Sequence, residues 1–181
     1  MPRIPDLQEA TLTSEQRVIY DEIVRGPRGV VEGPLRVWLN SPKLADRAQA
    51  LGAFCRFDTS LPPRLSELAI ITIGSYWRAG FEWHAHAPLA AKAGISAAAI
   101  EAIKRQDPSP PLAETDERSV HAFAYELVRE RRVSEGVFAD ALAAIGEVAL
   151  VELVGVLGYY SLISMTITAF EVAAPGGDPF A

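Results

Sequence analysis

Apolar and polar positions along this 181-residue chain do not alternate in the manner of strands, and the apolar runs are bounded by helix start and stop signals. Residues 13–16 have the form of a capping box, and the helix that follows is predicted to end at residues 26–27, a Gly-Pro pair. Proline in a first turn predicts two further helices, over residues 34–40 and 42–56, the second capped by Ser41. The pattern predicts an all-α fold.

The middle of the chain carries two more predicted helices. The first opens at residues 62–63, a Pro-Pro pair, and its isoleucine-rich run at 68–73 would also suit a strand, but the helix signals around it favour a helix. The second spans residues 81–92 and is predicted to stop at Gly94. It contains Pro88, which removes one backbone hydrogen bond, so that the helix either kinks beside a pocket or bends around its neighbours.

Four more elements complete the predicted fold. They are a helix from Ser96 to about residue 105, a loop over 107–111, helices capped by Thr115 (to residue 132) and Ser134 (to about residue 144), and a long apolar helix after Gly146. Together the elements predict one domain over residues 1–181, with its core at about 42–172 and a flexible tail at 173–181.

Residues 148–170 are long and apolar enough to cross a bilayer. Glu152 near the start, the absence of flanking basic anchors, and small residues such as Gly155 and Gly158 favour a buried central helix or a subunit-interface helix instead. We therefore predict no membrane association, with a membrane span as the alternative.

Composition narrows the function classes. A net charge of −6 with seventeen scattered basic residues gives no basic stripe, so no nucleic-acid partner is predicted. The single cysteine, Cys55, cannot form an internal disulfide, and the first residues lack the apolar run of a secretory signal. A cytoplasmic location is the expectation.

Acid/base groups concentrate between residues 64 and 86. On a helix, Glu82 and His86 lie about 40° apart on one face, whereas His84 and His86 lie about 160° apart. Glu67, one helix upstream, is placed to face the same pair. Histidine and carboxylate groups in this arrangement suit proton transfer to a small organic substrate.

Two other interpretations of the cluster stay open at this stage. Glu67 with His86 and Glu82 has the donor types of a two-carboxylate, one-imidazole metal site, although no second patterned ligand pair supports one, and we predict no metal or cofactor. Alternatively, Glu82 and His86 form a solvated or interfacial pair, and Glu67 pairs with Arg64 or Arg78.

The run from Glu67-Leu-Ala-Ile through Phe-Glu-Trp-His-Ala-His-Ala-Pro-Leu-Ala-Ala-Lys-Ala-Gly-Ile-Ser resembles the core of the carboxymuconolactone decarboxylase family. This family includes the alkyl hydroperoxidase D proteins, and the run is similar to members with a Glu-Trp-x-x-His signature. The similarity is strongest over residues 62–105 and weaker over 116–172. It implies an all-α fold and a homo-oligomer, a trimer or a hexamer.

The peroxidase branch of that family carries a Cys-x-x-Cys pair between its glutamate and its histidine. In this chain the two cysteine positions fall on Ala79 and Glu82, while Glu67 and His86 match the other two positions. Disulfide cycling by that pair is therefore not expected. The decarboxylase branch needs neither thiol nor metal nor organic cofactor, and its resemblance implies that His86, with Glu67 or Glu82, performs the proton steps on a small carboxylated lactone or keto acid.

Further site residues follow from the same comparison. Arg78 is the predicted ligand of the substrate carboxylate, with an ordinary salt bridge as the alternative. The aromatic residues predicted either to line the pocket or simply to pack in the core are Trp77, Trp83, Tyr159 and Tyr160. His84 and His121 are assigned no chemical role. The function predicted first is a decarboxylase of aromatic catabolism; the alternatives are a non-catalytic oligomeric binding protein and, third, a peroxide-reducing protein that uses Cys55.

Overall fold

A computed structural model describes residues 3–181, and every regular element in that range is helical. A short 3-10 turn at Glu9–Thr11 comes first. The helices that follow are α1 (Ser14–Arg25), α2 (Pro34–Trp38), α3 (Pro42–Phe57), α4 (Pro63–Tyr76), α5 (Gly80–Lys92), α6 (Ala97–Lys104), α7 (Thr115–Glu130) and α8 (Glu135–Phe170). The predicted all-α class is confirmed.

Several predicted boundaries are confirmed by their hydrogen bonds. Thr13 and Gln16 form both bonds of the capping box at the start of α1. The Ser96 hydroxyl accepts from the backbone N–H of Ala99 at the start of α6. Gly146 breaks α8 with a φ of 78° and a ψ of 170°. Because glycine adopts a positive φ readily, the chain changes direction there, where the sequence predicts a new helix.

One predicted cap is wrong, and two others lack the expected bond. Ser41 and Ser134 occupy the N-cap positions of α3 and α8 as predicted, but their side chains make no capping bond, and Ser134 instead bonds to Glu126. The cap of α7 is Glu114 rather than Thr115, because its side chain and that of Glu117 form a reciprocal box. A carboxylate at a helix start serves the same free N–H groups that a hydroxyl would.

Helix α4 occupies the centre of the molecule and packs against α5, α6, α7 and α8. Residues from Leu65 to Ser75 are buried almost without interruption, which explains why the isoleucine-rich run shows no polar face. The second part of α8 supplies the opposite wall through Leu153, Val156 and Tyr159. These two helices position the polar groups described below.

Only one face of α8 lies in the core. Among the described residues this helix is long and apolar enough to cross a membrane, and a third of its most apolar window is buried. Its outward face leaves Val148 and Val151 66 % and 74 % exposed. Glu152 accepts hydrogen bonds from the backbone N–H and hydroxyl of Ser60, which ties α8 to the loop before α4.

The C-terminal tail, for which the sequence predicts flexibility, packs against α5. Phe180 is 8 % exposed and meets the ring of Trp83 edge-on, with 5.4 Å between centroids. The Arg78 guanidinium donates to the Phe180 carbonyl and lies over the Phe180 ring. A Cβ at Gly80 would come within 3.1 Å of the Asp178 carboxylate, so the absence of a side chain there admits the tail.

Candidate active site

Helices α4 and α5 form an antiparallel hairpin that brings the predicted acid/base residues together. The turn between them places Arg78 at a φ of 49°. Glu67 lies in the second turn of α4, and its Oε2 is 2.6 Å from Nδ1 of His86 on α5. An ionised carboxylate only accepts, so Nδ1–H of His86 donates to Glu67. This bond leaves Nε2 of His86 as the basic nitrogen.

Glu82 lies on the other side of the His86 ring. Its Oε1 is 3.1 Å from Nε2 of His86, one helical turn away on α5. The pair does not meet hydrogen-bond geometry, and among the described residues this Oε1 has no other partner. Both ring nitrogens of His86 thus face a carboxyl group, but only the Glu67 side is closed by a hydrogen bond.

The burial of this cluster changes its chemistry. Glu82 and His86 are 4 % and 2 % exposed. Burial raises the pKa of the Glu82 carboxyl, because a charged group loses hydration there, and nearby His86, Arg56 and Arg28 act in the opposite direction. A carboxyl group whose proton is retained can donate to the Nε2 lone pair or to a bound ligand. Glu82 and His86 therefore do not form the solvated pair that was one alternative in the sequence analysis.

A cavity of about 200 Å³ opens beside His86 and Glu82. Its volume lies below the roughly 300 Å³ at which ligand sites usually begin, so it suits a small molecule. The groups that line it and carry polar atoms or aromatic rings are Arg28, Glu32, Arg56, Phe57, Phe81, Glu82, His86, Tyr159 and Tyr160. Two predicted aromatic residues, Tyr159 and Tyr160, are among them.

Tyr160 is the aromatic residue most closely associated with the acid/base pair. Its ring meets that of His86 edge-on with 5.1 Å between centroids. Its hydroxyl is buried and has no hydrogen-bond partner within residues 3–181. Burial raises the pKa of Tyr160 well above the ordinary value, so the hydroxyl stays protonated and is available as a donor.

The other predicted ligand contacts lie elsewhere. Trp77 and Trp83 do not line this cavity, and Trp83 packs against the tail residue Phe180. Arg78 is occupied by Phe180 as well. The arginines that do line the cavity are Arg28 and Arg56, which sequence analysis did not identify. They lie on the α1–α2 loop and on α3, and no spacing pattern connects these segments to the cluster.

Glu67 is free to hold His86 because its alternative partners are engaged. The Arg64 guanidinium contacts Asp116 at 2.8 Å and Glu117 at 2.6 Å, which joins α4 to the start of α7. Arg78 contacts the tail. The structure thus places Glu67 against His86 and not against Arg64 or Arg78.

Other groups named from the sequence are remote or unreactive. Cys55 is fully buried, and burial raises the pKa of its thiol to about 11, so little thiolate forms at neutral pH. His84 is exposed on α5. His121 lies buried on α7, where its ring faces that of Tyr125. Among residues 3–181, no set of three or more His, Cys, Asp or Glu side chains is grouped for metal binding.

The backbone arrangement matches known structures closely. A peroxidase-related protein of Ralstonia eutropha, described as an alkylhydroperoxidase AhpD core, superposes with a TM-score of 0.76 at 12 % identity over 96 % of this chain and 92 % of that one. The chain has the AhpD-like fold. A peroxidase-related protein of Silicibacter has a TM-score of 0.74 at 13 % identity, over 94 % of this chain and 88 % of that one.

A third protein of the AhpD-like fold is a debrominase whose structure was solved in complex with 2,3,4-tribromopyrrole. It superposes with a TM-score of 0.72 at 15 % identity, over 95 % of this chain and 92 % of that one. No family model and no curated protein matches the sequence. At these identities the likeness establishes the AhpD-like fold alone.

Proposed function

We propose that this protein is a cofactor-independent enzyme of the carboxy-lyase type that acts on a small carboxylated lactone or keto acid by acid/base chemistry. The observation that carries the proposal is the Glu67–His86–Glu82 cluster, of which His86 and Glu82 are buried at the wall of a small cavity. The resemblance to the decarboxylase branch of the carboxymuconolactone decarboxylase family, and to its Glu-Trp-x-x-His subgroup, supports the same assignment.

The proposed reaction needs one carbon–carbon bond to break and one carbon–hydrogen bond to form. The substrate carboxylate leaves as carbon dioxide, and its bonding electron pair is delocalised into a conjugated carbonyl group. Glu82, or His86 when protonated, then transfers a proton to the resulting carbanion, and the proton is regained from solvent. The Tyr160 hydroxyl is an available donor to the developing oxyanion. Each of these groups is already desolvated, so little reorganisation accompanies the step.

Glu67, on helix α4, determines which nitrogen of His86 takes part in the reaction. Because Glu67 holds Nδ1–H, the reactive Nε2 of His86 faces Glu82 and not α4. The same logic orients the histidine of other acid/base sites, where a buried carboxylate fixes the tautomer. In the proposed relay a proton passes between Nε2 and the Glu82 carboxyl, which are 3.1 Å apart and must align as a hydrogen bond in the complex with substrate.

A peroxide-reducing protein is the second candidate, because two of the structural neighbours are named peroxidase-related. By the family resemblance, Ala79 and Glu82 stand where the peroxidase branch has its thiols, and the only thiol of the chain belongs to Cys55. A raised pKa and complete burial make Cys55 a poor nucleophile. A binding protein that kept the pocket without turnover is the remaining alternative.

The outer face of α8 supports a homo-oligomer, which we propose to be a trimer or hexamer. Val148, Val151 and Val154 are exposed along it, and a Cβ at Gly155 or Gly158 would meet no atom within 4 Å. A helix that is apolar all round is normally covered on all sides. A second copy of this chain is the proposed cover, because Glu152 sits beside the face and disfavours lipid.

Carbon dioxide release tests the proposed reaction. Wild type, His86→Ala and Cys55→Ala would be assayed in chelator against a panel of carboxylated lactones and β-keto acids. Release by wild type and Cys55→Ala but not by His86→Ala supports the proposal. Absence of release across the panel, or peroxide consumption that depends on Cys55, would overturn it.

A further inference from the structure

We infer that Arg28 and Arg56 form an anion subsite that binds a carboxylate of a small organic ligand in the cavity of His86. The assignment rests on the proposed function for the identity of the ligand as a substrate, but the subsite stands on its own contacts. It replaces the role that the sequence suggested for Arg78. No sequence motif predicts that either arginine lies near the Glu67–His86–Glu82 cluster.

Both arginines line the cavity without a carboxylate partner. Within residues 3–181, every arginine with a salt bridge pairs elsewhere on the surface or between α4 and α7, and neither Arg28 nor Arg56 is among them. Arg56 lies over the ring of Phe57, another lining residue, at 5.4 Å from its centroid. Arg28 has a buried Nε with no hydrogen-bond partner. Guanidinium groups left in this state at a cavity wall favour an incoming anion.

The side chain of Arg28 is held in place by a hydrogen bond to Tyr159 on α8. Its Nη2 donates to the Tyr159 hydroxyl at 3.0 Å, although 131 residues separate the two along the chain. A Cβ at Gly52 on α3 would overlap both the Tyr159 hydroxyl and Nη2 of Arg28. Gly52 therefore keeps open the space in which the tyrosine positions the arginine. A loop arginine with such an anchor is preorganised for its ligand.

The acidic side chains that line the cavity do not neutralise both Arg28 and Arg56. Glu32 lines the same cavity but is exposed to solvent. Glu82 is the other lining acid, and burial raises its pKa, which favours its neutral form. Two guanidinium groups thus face one solvated carboxylate in a protein whose net charge is −6. The charge of these lining side chains is therefore opposite in sign to the net charge of the molecule, which favours the binding of an anion.

A binding titration that needs no turnover tests the subsite. Glutarate, with glutaramide as its uncharged counterpart, would be titrated into the full chain by calorimetry and by NMR chemical-shift mapping. We expect wild type to bind glutarate at least tenfold more tightly than glutaramide. Arg28→Gln and Arg56→Gln should each weaken glutarate binding at least tenfold. Arg47→Gln, at an exposed arginine outside the cavity, is the matched control and should bind as wild type.

Gly52→Ala supplies a second, independent variant, because it displaces the anchor of Arg28 and removes no charge. We expect it to lose glutarate binding while Gly136→Ala, where a Cβ meets nothing, keeps it. Equal binding of the two probes, no binding of glutarate by wild type, or full binding by both arginine variants would overturn the subsite. Glutarate binding without carbon dioxide release would retain the subsite and reject the proposed reaction. Carbon dioxide release with an unchanged KM in both arginine variants would reject the subsite and retain the proposed reaction.

Discussion

Glu67 holds Nδ1 of His86 at 2.6 Å across the α4–α5 hairpin. We predict that Glu67→Gln lowers kcat about 100-fold, since an amide oxygen still accepts from Nδ1–H but no longer stabilises the imidazolium. His86→Ala should lower kcat at least as far. Steady-state kinetics measure both effects, and far-UV circular dichroism checks that each variant is folded.

The exposed His84 provides the matched control for this pair. His84→Gln changes a histidine on the same helix without touching the cavity, and its kinetics should equal those of wild type. Wild-type kcat in Glu67→Gln would show that the hydrogen bond serves packing and not the reaction.

The burial of Glu82 opposes ionisation of its carboxyl group, which gives a prediction about stability. The folded state binds the Glu82 proton more tightly than the unfolded state, because burial raises this pKa. Its contribution is therefore favourable below the unfolded pKa of about 4.3 and is lost as pH rises through the folded value. We expect Glu82→Gln to raise the urea midpoint at pH 8 and to change it little at pH 4. A lower midpoint at pH 8 would contradict this prediction.

The sequence was sufficient to predict the helices and the break at Gly146, and it offered the meeting of Glu67 with His86 as one of several arrangements. These depend on local signals or on a short hairpin, in which neighbouring helices pack antiparallel. It was not sufficient to predict Arg28 at the cavity, because that position depends on a hydroxyl on α8 and on empty space at Gly52 on α3. Long-range contacts of single side chains leave no periodic pattern.

The contacts of the tail could not be predicted from the sequence for a related reason. Residues 175–179 have the composition of a flexible end, yet Phe180 lies beyond them and finds the ring of Trp83 and the side chain of Arg78. The ring of Phe180 buries apolar area against Trp83, a contact that the composition of residues 175–179 does not indicate. Arg78 and Trp83 contact Phe180 and do not line the cavity beside His86.

The tail contact has a measurable consequence. Phe180→Ala should lower the free energy of unfolding by at most about 3 kcal/mol, because a buried phenyl ring is lost near a chain end that can relax. Phe180→Leu should recover part of the loss. Thermal and urea unfolding measure both variants, and equal stability of Phe180→Ala and wild type would mean that the tail contact adds nothing.

His121 predicts how the protein responds to acid. Burial lowers its pKa to about 4, whereas an unfolded histidine titrates near 6.5. Between these values the unfolded state binds more protons, so stability is lost as pH falls from 6.5 to 4, by about 3 kcal/mol in total. In His121→Gln this part of the pH dependence should vanish, and in the control His84→Gln it should persist. Urea unfolding at pH 7 and pH 4 measures the difference.

The outer face of α8 yields the prediction about assembly. Val151 is 74 % exposed in a row of apolar residues, and a glutamate there would be buried without a partner if a second copy covers the face. The resulting cost of several kcal/mol should dissociate the oligomer at micromolar concentration. Val18→Glu, at an exposed valine on α1, is the matched control. Light scattering coupled to size exclusion should give a trimer or hexamer for wild type and Val18→Glu and a smaller mass for Val151→Glu. A monomeric wild type, or an unchanged mass for Val151→Glu, would rule out this face as the interface.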